Sequence, residues 1–199
     1  MGVRFANRKN LKASDMTWQL RQATPTDSGA IETLIARSIR GLGAGDYSAE
    51  TIEAALQGAF GLDTQLIEDG TYFVVAEADR LLGCGGWSFR RTLFGSDART
   101  GRDAAVLDPR TDAAKIRAFF IDPAAARRGI GTALLEHCES AARRAGFRRA
   151  EMMATLPGVR LYQARGYLAQ AKVLYPLRDD LAIEFVPMSK TLGPEAPGS

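Results

Sequence analysis

The stretch Phe119-Phe120-Ile121-Asp122-Pro123-Ala124-Ala125-Ala126-Arg127-Arg128-Gly129-Ile130-Gly131-Thr132-Ala133-Leu134-Leu135 decides how this chain is read. It passes from an apolar run, through a basic turn with two glycines, into the apolar spacing of an amphipathic helix. Strand, turn and helix in that order build a seat for an anion. The first amides of a helix have no intrahelical partners, and the aligned peptide dipoles gather partial positive charge there. Gly129 and Gly131 carry no Cβ and let the main chain come close to a ligand, while Arg127 and Arg128 attract negative charge from further away.

A Gly-x-Gly turn also serves as a plain helix cap, so its surroundings matter. This one lacks the third glycine of a dinucleotide fingerprint and the Gly-Lys-Ser/Thr of an NTPase loop, which excludes the Rossmann and Walker readings. Downstream lies Gly158-Val159-Arg160-Leu161-Tyr162-Gln163-Ala164-Arg165-Gly166-Tyr167. Together the two segments resemble the GNAT superfamily of N-acetyltransferases. That superfamily joins an apolar strand, a Gln/Arg-x-x-Gly-x-Gly/Ala turn, a helix, a further strand and a helix with Tyr-x-x-x-Gly-aromatic. Ala126 stands where the stricter turn has Gln or Arg, a position thought to act through its backbone. The remaining motif residues, Gly129, Gly131, Tyr162, Gly166 and Tyr167, are all present. The likeness extends from about residue 17 to about residue 190.

Composition agrees with one folded domain. The 199 residues are 46% hydrophobic and 25% charged, enough to bury an ordinary core. The domain is expected over residues 16–191, with flexible segments at 1–15 and 192–199. No apolar run is long enough to cross a bilayer, and the first residues lack the apolar stretch of a signal peptide, so a cytoplasmic protein without membrane contact is expected. Cys84 and Cys138 lie in apolar surroundings without metal-ligand spacing and read as reduced packing residues, with no metal implied. The formal charge of +3 is spread among acids rather than gathered in a stripe, which argues against nucleic acid. Arg143, Arg144, Arg148 and Arg149 flank a helix end at Gly146, where cations complement the dipole.

Periodicity gives the order of elements. Thr17–Ala23 alternates as a strand, and Thr26 or Asp27 caps a helix to about Arg40. The glycine-rich break Gly41–Tyr47 leads to Ser48, an N-cap for a helix ending near Phe60. Thr71–Ala78 and Arg80–Phe89 read as antiparallel strands, the second carrying Gly83-Cys84-Gly85-Gly86, which marks a bulge or a close approach. Arg90–Ala114 is a long connection, expected to shape substrate access or a homodimer contact. A strand at 114–121, a helix at 129–145, a strand at 148–155, a helix at 158–165 and strands at 166–176 and 181–189 complete the chain. The fold expected is α/β (α+β), a mixed and mostly antiparallel sheet of about seven strands flanked by about four helices. Its one parallel pair, on either side of the long helix, splays in the GNAT fold.

The resemblance implies where chemistry occurs. The pantetheine arm of acetyl-CoA would bond in strand fashion to Phe119, Phe120 and Ile121. The pyrophosphate would rest on Arg127, Arg128, Gly129, Ile130, Gly131 and Thr132. Tyr162 would be the general acid that protonates the departing thiolate, and a main-chain N–H near Phe120 or Ile121 would stabilise the oxyanion. The strand glutamate that many relatives use as base is missing from Ala114-Lys115-Ile116-Arg117-Ala118; water, Asp46, Glu53 or Asp122 are the alternatives. His137 has no expected role. The acceptor pocket implied by the fold lies between Gly41–Tyr47 and the turn Leu177–Asp180, where Asp46, Asp179 and Asp180 are available to pair with a cationic amine. Transfer to the primary amine of a small molecule is the leading expectation. Two others stand beside it: acetylation of protein N-termini or lysines, and a non-catalytic acyl-CoA-binding sensor or interaction module.

Overall fold

The structure, a computed structural model, describes residues 18–93, 96–97, 103 and 105–193. The expectations for residues 1–15 and for the chain beyond 193 lie outside the described residues.

Eight strands form one sheet in the order β1-β2-β3-β4-β5-β8-β6, with β7 also pairing β8. The strands are β1 (Gln19–Gln22), β2 (Tyr72–Glu77), β3 (Arg80–Ser88), β4 (Ala114–Ile121), β5 (Arg149–Thr155), β6 (Leu168–Ala169), β7 (Val173–Arg178) and β8 (Leu181–Thr191). The α-helices are α1 (Ser28–Leu42), α2 (Ala49–Ala55), α3 (Thr64–Glu68), α4 (Ile130–Arg144) and α5 (Val159–Ala164). The class is as expected. The count differs, because β6 and β7 run along one edge of β8 where a single strand, 166–176, was expected. Pro187 of β8 explains the break. It accepts from the Gln170 N–H at 2.9 Å but has no N–H to return, so the ladder fails at that rung.

The sheet separates two cores. On one side Leu134, Leu135, Cys138 and Ala142 of α4 pack, fully buried, on strand residues such as Val75, Ile116 and Met152. Ile31, Leu34, Ile35 and Ile39 of α1 fill the other core with Ile52, Leu66, Tyr72 and Phe185. Both helices follow the i, i+3/i+4 spacing that the sequence shows, and each fully buried Leu or Ile contributes about 2 kcal/mol. α2 ends at Ala55, short of Phe60, because the chain turns there to bond the Phe60 N–H to the Ala55 carbonyl at 2.8 Å. Ser48 caps α2 as expected, its hydroxyl accepting from the Thr51 N–H at 3.1 Å.

β4 and β5 are the parallel pair, and they meet at only two rungs, Ala114–Ala150 and Lys115–Glu151. Beyond these the strands part. β4 stays on β3 through Cys84–Phe120 and Gly83–Ile121, while β5 stays on β8 through seven rungs from Arg149–Thr191 to Thr155–Phe185. The result is a gap in the middle of the sheet, bordered by the end of β4.

Candidate active site

At the gap β4 carries a bulge against β3, and Ala118 there takes a left-handed φ of +53°. A side chain in that conformation costs about 1–2 kcal/mol, so something must hold it. The Ala118 carbonyl accepts from the Tyr72 hydroxyl at 3.3 Å and from the Cys84 thiol at 3.8 Å; Tyr72 also lies 3.2 Å from the Cys84 sulfur. Burial pushes the Cys84 thiol up to about 12 and keeps it protonated. The glycines of β3 make room. A Cβ on Gly85 would meet the Phe119 ring at 2.7 Å, and one on Gly83 would meet Ile130 at 2.8 Å. Their close approach is therefore to protein side chains.

After the bulge the Asp122 N–H bonds back to Leu82 of β3 at 2.9 Å. Strand alternation then turns the Phe119 and Ile121 amides to the side that β5 has left. Ser38 of α1, a buried serine that sequence reasoning missed, accepts from the Ile121 N–H at 3.1 Å. Of the two oxyanion donors expected, Ile121 has this partner, and Phe120 is directed toward β3.

Asp122 ends β4 and fixes the following turn. Its carboxylate accepts from the Ala124 N–H at 2.9 Å and pairs with Arg37 at 2.8 Å and Arg80 at 2.7 Å. Burial alone would raise its pKa, but Arg80, the Ala124 amide and Arg37 bring it below the usual value. Held this way, Asp122 is a weak base. The turn then reaches α4 through Arg127 at φ +67° and Gly129 at φ +82°. Nothing lies within 4 Å of a Cβ built on Gly129, so open space stands over the start of the 15-residue helix. Arg127, Arg128 and Gly129 are exposed. The Arg128 guanidinium is bound by Glu77 at 2.6 Å. The Ile130 side chain is buried in the core, leaving only its main chain for a ligand. Gly131 owes its size to packing as well, since a Cβ there would reach Leu161 at 3.0 Å.

The gap opens into a cleft of about 600 Å³, including solvent at its mouth. Ile116, Arg117, Ala118, Phe119 and Phe120 form one wall and Met152, Met153 and Thr155 the other; Tyr162, Phe185, Ala59, Phe60, Gly61 and Leu93 close it. Tyr162 of α5 is 7% exposed, its ring edge-on to Phe119 at 6.4 Å and to Tyr167 at 6.0 Å. Burial, with a smaller effect of Cys138, raises its phenol well above its ordinary value. Arg117 forms an ion pair with Asp63 ahead of α3, each side chain being 1% exposed. This pair also escaped the sequence reading, since nothing in the chain's spacing relates residue 63 to residue 117.

The other candidates lie apart from the cleft lining. Glu53 binds Arg40 at 2.7 Å, and Asp180 lies 3.3 Å from Arg178. Asp46 and Asp179 are exposed. His137 is half-buried, its ring 4.4 Å from that of Phe73. Tyr47 joins the α1–α2 loop to the site, donating to the Glu184 carbonyl at 2.9 Å and accepting from the Leu156 N–H at 2.8 Å. The connection after β3 folds back as a ribbon, with Arg91 N–H on the Ala105 carbonyl and Thr92 N–H on the Asp103 carbonyl, both at 2.9 Å. It places Leu93 in the cleft. Among the described residues no group of three or more His, Cys, Asp or Glu side chains is arranged to hold a metal, and no helix is long and apolar enough to cross a membrane.

The model of the acetyltransferase (GNAT) family matches residues 47–167, which include most of the cleft lining, the turn into α4 and Tyr162. The chain belongs to the GNAT family. As a GNAT protein it is an acyltransferase by family. Solved structures share the fold. The GCN5-related N-acetyltransferase of Rhodopseudomonas palustris aligns with a TM-score of 0.64 at 20% identity, over 87% of this chain and 95% of that one. The PaiA N-acetyltransferase of Thermoplasma acidophilum, solved in complex with coenzyme A, gives 0.61 at 15% identity, over 88% and 99%. The ribosomal-protein-S18-alanine N-acetyltransferase of Escherichia coli gives 0.56 at 14%, over 92% and 98%. A search of curated sequences finds no significant match.

Proposed function

We infer that this GNAT chain is an acetyl-CoA-dependent N-acetyltransferase that acetylates a primary amine of a small molecule, by direct attack with both substrates in the cleft. The observation that carries this reading is the meeting of three parts at one gap. These are the amides of β4 turned away from β3, the open start of α4, and the buried phenol of Tyr162. They fit acetyl-CoA in shape and charge. Phe119 and Ile121 offer strand-like partners to a pantetheine amide, with Ser38 giving up its place at Ile121. The amides of Gly129, Ile130, Gly131 and Thr132 and the exposed Arg127 suit a pyrophosphate. Arg128 contributes there only if it leaves Glu77.

Acetyl-CoA supplies an activated thioester. The N–H groups facing the gap stabilise negative charge that develops on its carbonyl oxygen. Tyr162 is protonated at neutral pH, as any phenol is and the more so with its pKa raised by burial, and its proton is the one delivered to the departing thiolate. Among the described lining residues there is no carboxylate, so the amine loses its proton to water at the mouth of the cleft. That same lack of a base favours the second reading, an acyl-CoA-binding sensor without catalysis. Acetylation of protein N-termini or lysines is the third; the E. coli neighbour is by name an N-acetyltransferase of ribosomal-protein-S18 alanine. Buried, free Cys84 and Cys138 suit a reducing compartment, the cytoplasm.

Calorimetric titration with acetyl-CoA, on the wild type and on Gly129→Glu, tests the reading. Binding on the order of micromolar, lost on adding bulk and negative charge at the helix start, supports it. A folded wild type that does not bind acetyl-CoA refutes it. Thiol release with amine acceptors, absent in the sensor reading, separates enzyme from sensor.

A further inference from the structure

We propose that the acceptor is a monoamine whose body is aromatic or branched aliphatic, carrying no second positive charge. The proposal rests on the transferase reading and names its acceptor class. The sheet gives the cleft two halves. Phe119, Met152 and Tyr162 belong to the core beneath α4 and α5, on the side where α4 begins. Phe60, Phe120, Phe185 and Met153 belong to the opposite core, beneath α1 to α3. An acceptor meets the thioester from this second half. Phe60 stands edge-on to Phe120 and to Phe185, with ring centroids 6.0 Å apart in each pair. Ring edges and a methionine side chain are surfaces on which an aryl or branched alkyl group packs.

Charge leads to the same class. Arg117 is the one formally charged side chain among the described lining residues, and Asp63 neutralises it. A diamine or polyamine must shed the hydration of each extra ammonium to enter, and this half of the cleft offers no carboxylate to compensate. Outside the lining, Glu53 is paired with Arg40, and Asp180 and Glu50 with Arg178, while Asp46 and Asp179 are exposed to water. A monoamine gives up one proton and leaves an apolar body beside the rings of Phe60, Phe120 and Phe185 and the side chain of Met153. The proposal thus departs from the expectation that Asp46, Asp179 and Asp180 select a cationic acceptor, since none of the three is among the described lining residues.

The test is initial-rate acetylation of phenethylamine and isoamylamine against putrescine and spermidine, with acetyl-CoA calorimetry on the same preparation. The expected result is a kcat/KM for phenethylamine about tenfold or more above that for putrescine. Met153→Glu, which sets a carboxylate beside these rings, is expected to narrow that ratio about tenfold. Equal rates, a preference for the polyamines, or transfer only to some other kind of amine overturns the proposal and leaves the transferase reading in place. Acetyl-CoA binding with no thiol release on any amine is the sensor outcome; it, or a loss of acetyl-CoA binding, overturns the transferase reading and the proposal with it. The wild-type comparison decides the matter whether or not Met153→Glu folds.

Discussion

Replacing Asp63 by alanine removes the acid beside a guanidinium that water barely reaches. Asp63 and Arg117 each retain 1% side-chain exposure, so neither charge is hydrated in the folded protein. Breaking such a pair from one side costs about 3–5 kcal/mol, because the remaining charge stays buried. Domains of this kind are stable by about 5–15 kcal/mol, so the loss is a third or more of the total for a protein in mid-range. At this chain length each kcal/mol moves the midpoint by roughly 2–4 °C, and a fall in Tm of about 10 °C follows. Urea unfolding followed by far-UV circular dichroism gives the free energy, with the m-value compared between variants. The double exchange Asp63→Leu with Arg117→Met replaces the pair by apolar volume and is expected to recover most of the loss. A single-variant loss below about 1 kcal/mol, or a double variant no better than the single, would refute the argument.

Three further outcomes follow from the same geometry. Tyr162→Phe is expected to lower kcat by roughly a hundredfold or more with acetyl-CoA affinity unchanged, read by steady-state rates beside calorimetry; an unaltered kcat removes the phenol from the reaction. Gly129→Ala is expected to cost about 1–2 kcal/mol in urea unfolding. Its Cβ meets nothing within 4 Å, so the whole cost is the φ of +82°. Asp27, bonded by Arg21 at 2.7 Å, is held below its ordinary pKa chiefly by that hydrogen bond. The folded value being depressed, its stabilisation is full above the unfolded pKa of about 4 and fades as pH falls toward the folded value. The difference in Tm between wild type and Asp27→Asn should therefore shrink from pH 6 to about pH 2, and a constant difference would contradict the assignment.

Local signals were legible where one segment sufficed. The glycines at 129 and 131 announced the start of α4, the apolar spacing of α1 and α4 announced their buried faces, and Ser48 announced α2. The strands on either side of α4 could be paired because a helix between two strands returns the chain in parallel. What escaped depends on contacts between distant segments. Ser38 meets Ile121, Tyr72 meets Ala118, and Asp63 meets Arg117, each across at least 46 residues of chain. Pro187 breaks a neighbouring strand, not its own, so the stretch 166–176 gave no warning. The partner of Arg128, Glu77 on β2, was likewise not legible in the sequence. The long connection after β3 showed its length but not its direction, which the ribbon from Arg91–Ala105 to Thr92–Asp103 supplies.

A sheet whose halves share two rungs resembles a book bound by a short spine. β1–β4 form one leaf and β5–β8 the other, and only Ala114, Lys115, Ala150 and Glu151 stitch them in the middle. A ligand laid along the free margin of β4 adds stitches that the polypeptide itself lacks. Its binding free energy then enters the cohesion of the whole domain by mass action, growing with the logarithm of ligand concentration. On the proposed reading, scarcity of the acyl donor is expected to act twice, as a slower reaction and as a looser molecule, which limited proteolysis with and without acetyl-CoA would show.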